Sequence, residues 1–256
     1  MIGPGPPSDP GRRPEVSLRM PALSTVGFEP PADFPQDPYD AIHHRLEHLA
    51  NSPQGTTWRQ FAGAWNAVAY RFQACAEYDE SFRSDFVRLG VTAVGLDRYR
   101  QQRDTYGCIV NACSVIEAYY YAAYAMGSLL RPTGFPILSR SSQRGINPGS
   151  ATACFENHFA GDPFAGTLRA LIDDRSWAEL NDMRHVLVHR AAWAKDVRRS
   201  FGGPAAPAVD RIRLSDYHLV DLDLAPELTS GPRSWVAMNL SRAIEAAGVF
   251  TASKFS

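Results

Sequence analysis

The chain has 256 residues, 45% of them hydrophobic and 21% charged, which suits one globular domain of roughly 200 residues with a substantial core plus a tail, or two small domains. A formal net charge of -1 and a pI near 6.7 exclude a protein that coats nucleic acid through global positive charge, so such a partner must meet a local patch. Cys75, Cys108, Cys113 and Cys154 form no C-x-x-C pair; three fall in apolar helical patterns and are expected as core thiols of a reducing compartment.

Residues 1 to 38 hold ten of the nineteen prolines and little periodic apolar pattern, so residues 1–36 are expected to form a disordered Pro-rich tail and residues 37–256 a single helical domain. No apolar h-region interrupts the prolines and charges of the first forty residues, so no signal peptide is expected and cytoplasmic residence follows. Asp37-Pro38 starts a short helix with Tyr39, Ile42, Leu46 and Leu49 at helical spacing. His43, His44 and His48, with Glu47 beside them, are expected on its solvated face rather than as metal ligands.

Thr57-Trp58-Arg59-Gln60 has the form of a capping box. The repeat Trp58, Phe61, Trp65, Val68, Phe72, Cys75 then predicts a long amphipathic helix, continued through Phe82, Phe86 and Leu89. The next helix is predicted over 96–130, ended by Pro132 and Gly134. Its stretch from Gly107 to Leu130 is long enough to span a bilayer, but Asn111 and Glu117 lie within it and its tyrosines sit mid-segment rather than at the ends. A buried core helix, with no membrane partner, is the expectation.

A polar loop to about Ser150 and shorter helices over 151–173 follow. Ser176-Trp177-Ala178-Glu179 reads as a second capping box, opening a helix to about Lys195. Beyond Gly202-Gly203-Pro204, the alternation of Ile212, Leu214, Val220, Leu222 and Leu224 predicts a small β-hairpin turning near Ser215–Tyr217. A last helix starts near Thr229–Pro232 and buries Val236, Leu240, Ile244 and Ala247. The fold class expected is all-α, a bundle of about five to seven helices.

On the helix from Ser176, the register predicts an apolar stripe of Trp177, Leu180, Leu187, Val188 and Ala191, with Arg184 in its middle. An arginine there needs a partner or must snorkel to the surface. Glu117 is the only acid between Asp104 and Glu156, so an Arg184 to Glu117 contact is expected, with Glu117 lining a wet cleft as the alternative. From Arg184 to Arg199 five basic residues, Arg184, Arg190, Lys195, Arg198 and Arg199, face one acid, Asp196. They fit phosphate binding or complement a helix C-terminal dipole.

Arg184-His185-Val186-Leu187-Val188-His189 resembles the R-x4-H motif of the HEPN superfamily: arginine, a polar residue, three mostly apolar positions, then histidine. The preceding core helix with its single Glu117 is similar to that of the family, and the likeness covers about residues 57–195. The resemblance implies a helical homodimer whose two motif helices line one cleft. It implies a metal-independent endoribonuclease in which His189 is general base or acid at the ribose 2′-hydroxyl, Arg184 holds the scissile phosphate and His185 orients substrate or shares proton transfer. Those residue types suit the task, because histidine titrates near neutrality and arginine is a permanent bidentate donor. The products implied are a 2′,3′-cyclic phosphate and a 5′-hydroxyl; no metal or cofactor is called for. A defence or toxin–antitoxin setting with an antitoxin partner is also implied. Many superfamily members instead act as non-catalytic modules binding RNA or a protein.

A rival enzyme reading holds a metal on Asp182, His185 and His189, at i, i+3 and i+7 of one face, though no H-E-x-x-H is present. Neither G-x-S-x-G, Walker A nor G-x-G-x-x-G after a strand occurs.

Overall fold

The computed structural model describes residues 20–189, 194–197, 210–213 and 222–255. The fold is all-α, with eight α-helices among the described residues where five to seven were expected: α1 (Gln36–Glu47), α2 (Gly55–Leu89), α3 (Gly95–Leu130), α4 (Arg140–Arg144), α5 (Pro148–His158), α6 (Pro163–Ile172), α7 (Arg175–His189) and α8 (Glu227–Lys254). The surplus comes from α4, a short helix inside the expected polar loop. Ser139 caps it by accepting the Ser142 amide.

Helices α2 and α3 form an antiparallel hairpin, each about 50 Å long at 1.5 Å per residue. Gly90 and Gly95, both at φ 58, make the turn between them, a backbone region that a β-carbon disfavours. The two helices approach so closely that a Cβ on Gly107 would lie 2.6 Å from the Tyr78 ring. The whole aromatic stripe of α2 from Trp58 to Cys75 is buried, as its three-and-four spacing requires. Helix α2 begins two residues before the expected capping box: Thr57 is buried within it, and Gln54 donates its side-chain amide to the Leu129 carbonyl at 2.8 Å.

Helix α3 is the core of the bundle, with apolar side chains buried on nearly every face between Cys108 and Leu129. Its tyrosines explain why this run carries hydroxyls: Tyr119 donates to the Ala243 carbonyl at 2.6 Å and Tyr120 to the Leu168 carbonyl at 2.5 Å. Each hydroxyl thereby ties α3 to a different helix without leaving a buried polar group unpaired. Among the described residues no helix is long and apolar enough to cross a membrane. Helix α8 lies along α3, α1 and α6 and buries the expected Val236, Leu240, Ile244 and Ala247.

Two boundaries move. Residues 20–36, expected in the tail, pack on the bundle: Leu23 and Phe34 are buried, Asn66 donates to the Pro21 carbonyl, and Arg233 reaches Asp33 at 2.7 Å. These contacts are made by isolated apolar residues rather than a periodic face, which is why spacing did not reveal them. Residues 1–19 lie outside the described part.

The expected hairpin is present as β2 (Asp210–Arg213) antiparallel to β3 (Leu222–Asp223). A third strand, β1 (Ala194–Val197), joins β2 with Lys195 opposite Ile212, so the order is β1-β2-β3. Lys195 was expected as the end of the motif helix; the structure gives it to a strand instead.

Candidate functional site

The register of α7 on α3 sets the site. Cys113 Sγ lies 3.5 Å from the Leu180 carbonyl, and one turn further along both helices Arg184 Nη1 meets Glu117 Oε1 at 2.5 Å. Positions 113 and 180, then 117 and 184, therefore advance together, and the two helices run in the same direction here. Cys113 is sealed in the interface, where burial pushes its thiol up to about 12. It is a packing group and not a nucleophile at neutral pH.

The structure thus brings Arg184 and Glu117 together, and Asn181, one turn earlier on α7, accepts from Arg184 Nη2 at 3.0 Å. Sequence reasoning passed over Asn181, although its i-3 spacing from Arg184 is the signal that finds it. Among the described residues, these two bonds use two of the guanidinium's five N–H groups. The pair is not deeply buried: the Arg184 side chain keeps 21% exposure and that of Glu117 keeps 36%.

This partial exposure follows from a shifted apolar face. Leu180 and Val186 are buried, while Trp177, Met183 and Leu187 pack partly against the core. Val188, expected in the stripe, is 44% exposed. Relative to Leu180, Met183 and Leu187 fall at about -60° and -20°, whereas Arg184 and Val188 fall at about +40° and +80°. The buried sector is centred between Leu180 and Met183, so Arg184 sits on its rim instead of its middle.

The start of α7 is also displaced. Asp174, not Ser176, caps the helix by accepting the Ser176 amide at 2.7 Å. Burial opposes its charge, but the Ser176 amide helps hold its pKa below the usual carboxylate range. Glu179, instead of closing a capping box, pairs with Arg175 at 2.7 Å.

Asp182 and His185 are exposed on the face away from the core. His189 is the last residue of α7. Among the described residues no group of three or more His, Cys, Asp and Glu side chains could hold a metal. Lys195 stands in β1, off the helix; Arg190, Arg198 and Arg199 lie outside the described residues. On α1 His44 is exposed with Glu47, as is His48 just past the helix end, but His43 is fully buried. Its position between Ile42 and Leu46 puts it on the apolar face against Trp58, and neither ring nitrogen makes a hydrogen bond of good geometry.

Glu117 also lines a cleft of about 370 Å³ bounded by α2, α3 and the segment Ile146–Pro148. Both sequence alternatives for this glutamate therefore hold at once. Arg71 of α2 lies across the cleft's edge and donates to the Ser114 carbonyl at 3.1 Å, while Tyr121 donates to Gln60 Oε1 at 2.9 Å.

No protein-family model matches the chain, and no curated protein or solved structure matches it either.

Proposed function

We propose that the chain is a metal-independent endoribonuclease of HEPN type, acting as a cytoplasmic homodimer. The observation that supports this best is the partly exposed Arg184 guanidinium, held by Glu117 and Asn181 on the rim of α7, five residues before His189. A fixed, partly exposed guanidinium suits a phosphate whose charge grows in the transition state, because its geometry needs no reorganisation at that moment.

In this reading His189 accepts the proton of the ribose 2′-hydroxyl while the 2′-oxygen attacks phosphorus. The bond to the 5′-oxygen breaks, and that oxygen leaves with a proton from a second histidine, His185 or the partner protomer's copy of the motif. The products are a 2′,3′-cyclic phosphate and a 5′-hydroxyl. Arg190, Lys195, Arg198 and Arg199 supply positive charge for flanking phosphates. A defence or toxin–antitoxin setting, with an antitoxin as protein partner, belongs to the same reading.

One observation favours the second reading, a non-catalytic dimerising module that binds RNA or a protein: Glu117 neutralises much of the charge Arg184 would offer a phosphate. The purified full chain decides between them. Cleavage of RNA in excess EDTA, reduced roughly 10²- to 10⁴-fold by His189→Ala, is the outcome expected of the enzyme. RNA bound but left intact, with no difference between wild type and His189→Ala, is the outcome of the module.

A further inference from the structure

We propose that the cleft beside the Arg184–Glu117 pair is a guanine-selective base slot, resting for its setting on the ribonuclease reading, in which Arg184 grips the adjacent phosphate. At about 370 Å³ the cleft falls in the range of small-ligand pockets, roughly 300–1,000 Å³. Helix α2 contributes Ala64, Ala67 and Arg71 on successive turns of one face, and α3 contributes Glu117 and Tyr121. The alanines leave a shallow apolar surface on which a planar ring can lie, and the hydrogen bond to Gln60 fixes the Tyr121 ring at its side. Opposite them stand Ile146 and Pro148, held in place by the reciprocal capping bonds between Asn147 and Ser150.

The two charged groups in the slot determine which base fits. Glu117 gives only its Oε1 to Arg184; among the described residues Oε2 accepts no hydrogen bond. Among the described residues Arg71 spends one Nη1 bond, on the Ser114 carbonyl, which anchors it. A carboxylate oxygen and a guanidinium at one slot complement a base that sets two adjacent donors beside two adjacent acceptors. Guanine does this, with N1–H and N2–H₂ for the carboxylate and O6 and N7 for the arginine. Adenine offers a single amino donor between acceptors, uracil a single imino donor between two carbonyls, and cytosine one donor only. Because Glu117 touches both Arg184 and the slot, base and phosphate would bind on either side of one carboxylate.

The test is equilibrium binding of the 3′-monophosphates of guanosine, adenosine, cytidine and uridine to the full chain and to Arg71→Ala, an exposed position outside the proton-transfer and phosphate-gripping groups. Guanosine 3′-monophosphate is expected to bind about 10-fold or more tighter than the other three. Arg71→Ala is expected to remove that preference while melting at the wild-type temperature. Equal affinity for all four nucleotides, or a preference unchanged in Arg71→Ala, overturns the slot. The two readings fail separately: guanine preference in a chain that cleaves no RNA upholds the slot and defeats the ribonuclease, whereas cleavage indifferent to guanosine with equal nucleotide affinities overturns the slot alone.

Discussion

Removing the Glu117 carboxylate tests the contact on which the site is built. A fully buried ion pair broken on one side costs on the order of 3 to 5 kcal/mol, and the sequence alone, with Arg184 amid an apolar stripe, points to that range. The structure lowers it. Side-chain exposures of 36% and 21% let water solvate the charge left behind, and exposed pairs contribute about 0–1 kcal/mol. Against that, hydrogen bonds to charged groups contribute about 1.5–3 kcal/mol, and Asn181 keeps its own bond to Arg184. Glu117→Ala is therefore expected to cost about 1–2 kcal/mol, a fall in melting temperature of roughly 2–8 °C for a domain of this size. A thermal double-mutant cycle with Arg184→Ala should return a coupling of about 1 kcal/mol. Additive single variants would refute the contact, and a loss above about 3 kcal/mol would refute the half-exposed geometry.

Deletion of residues 1–36 should destabilise the fold, because Leu23 and Phe34 leave the core at about 1.5–3 kcal/mol each; a truncated chain with an unchanged melting curve would contradict the packing of residues 20–36. His43 gives the pH dependence. Burial lowers its pKa below 6.5, with Glu47 opposing that shift and His44 adding to it, while the Met20 carbonyl and Asp40 favour the charged ring more weakly. A base whose folded pKa is depressed binds fewer protons folded than unfolded, so its contribution to stability is complete above about pH 6.5 and is lost as pH falls towards the folded value. Melting temperatures from pH 8 to 5 should fall more steeply for wild type than for His43→Leu, and parallel profiles would refute the assignment.

The long helices were legible because their apolar positions recur at 3.6-residue spacing over many turns, a signal that tertiary contacts reinforce. The two long helices of the α2–α3 hairpin and the buried face of α8 could be read this way. Helix starts were less so: Thr57 and Ser176 matched the capping pattern, yet Gln54 precedes α2 and Asp174 caps α7, since a cap depends on local backbone rather than residue type alone. His43 was assigned by its polarity, although its register between Ile42 and Leu46 placed it inside. The exposure of Val188 could not be read, because a stripe drawn from α7 alone does not say which edge α3 covers. Arg184 and Glu117 were legible as partners since each is a lone charge on a largely apolar helix face. A cleft at Glu117 was legible only as an alternative to the pair, and its third wall was not, because that wall comes from a loop held by the Asn147–Ser150 capping box.

In the proposed reaction the RNA supplies its own nucleophile to a site built on Arg184 and His189. The most direct measurement is the chemistry of the cut ends, read by phosphorus NMR of an oligoribonucleotide incubated with the full chain in excess EDTA, beside the same oligonucleotide with a single 2′-deoxy sugar at the scissile position. A 2′,3′-cyclic phosphate is expected from the first and no cleavage at the modified position of the second. Cleavage of the deoxy substrate, or 5′-phosphate ends in either, would contradict it.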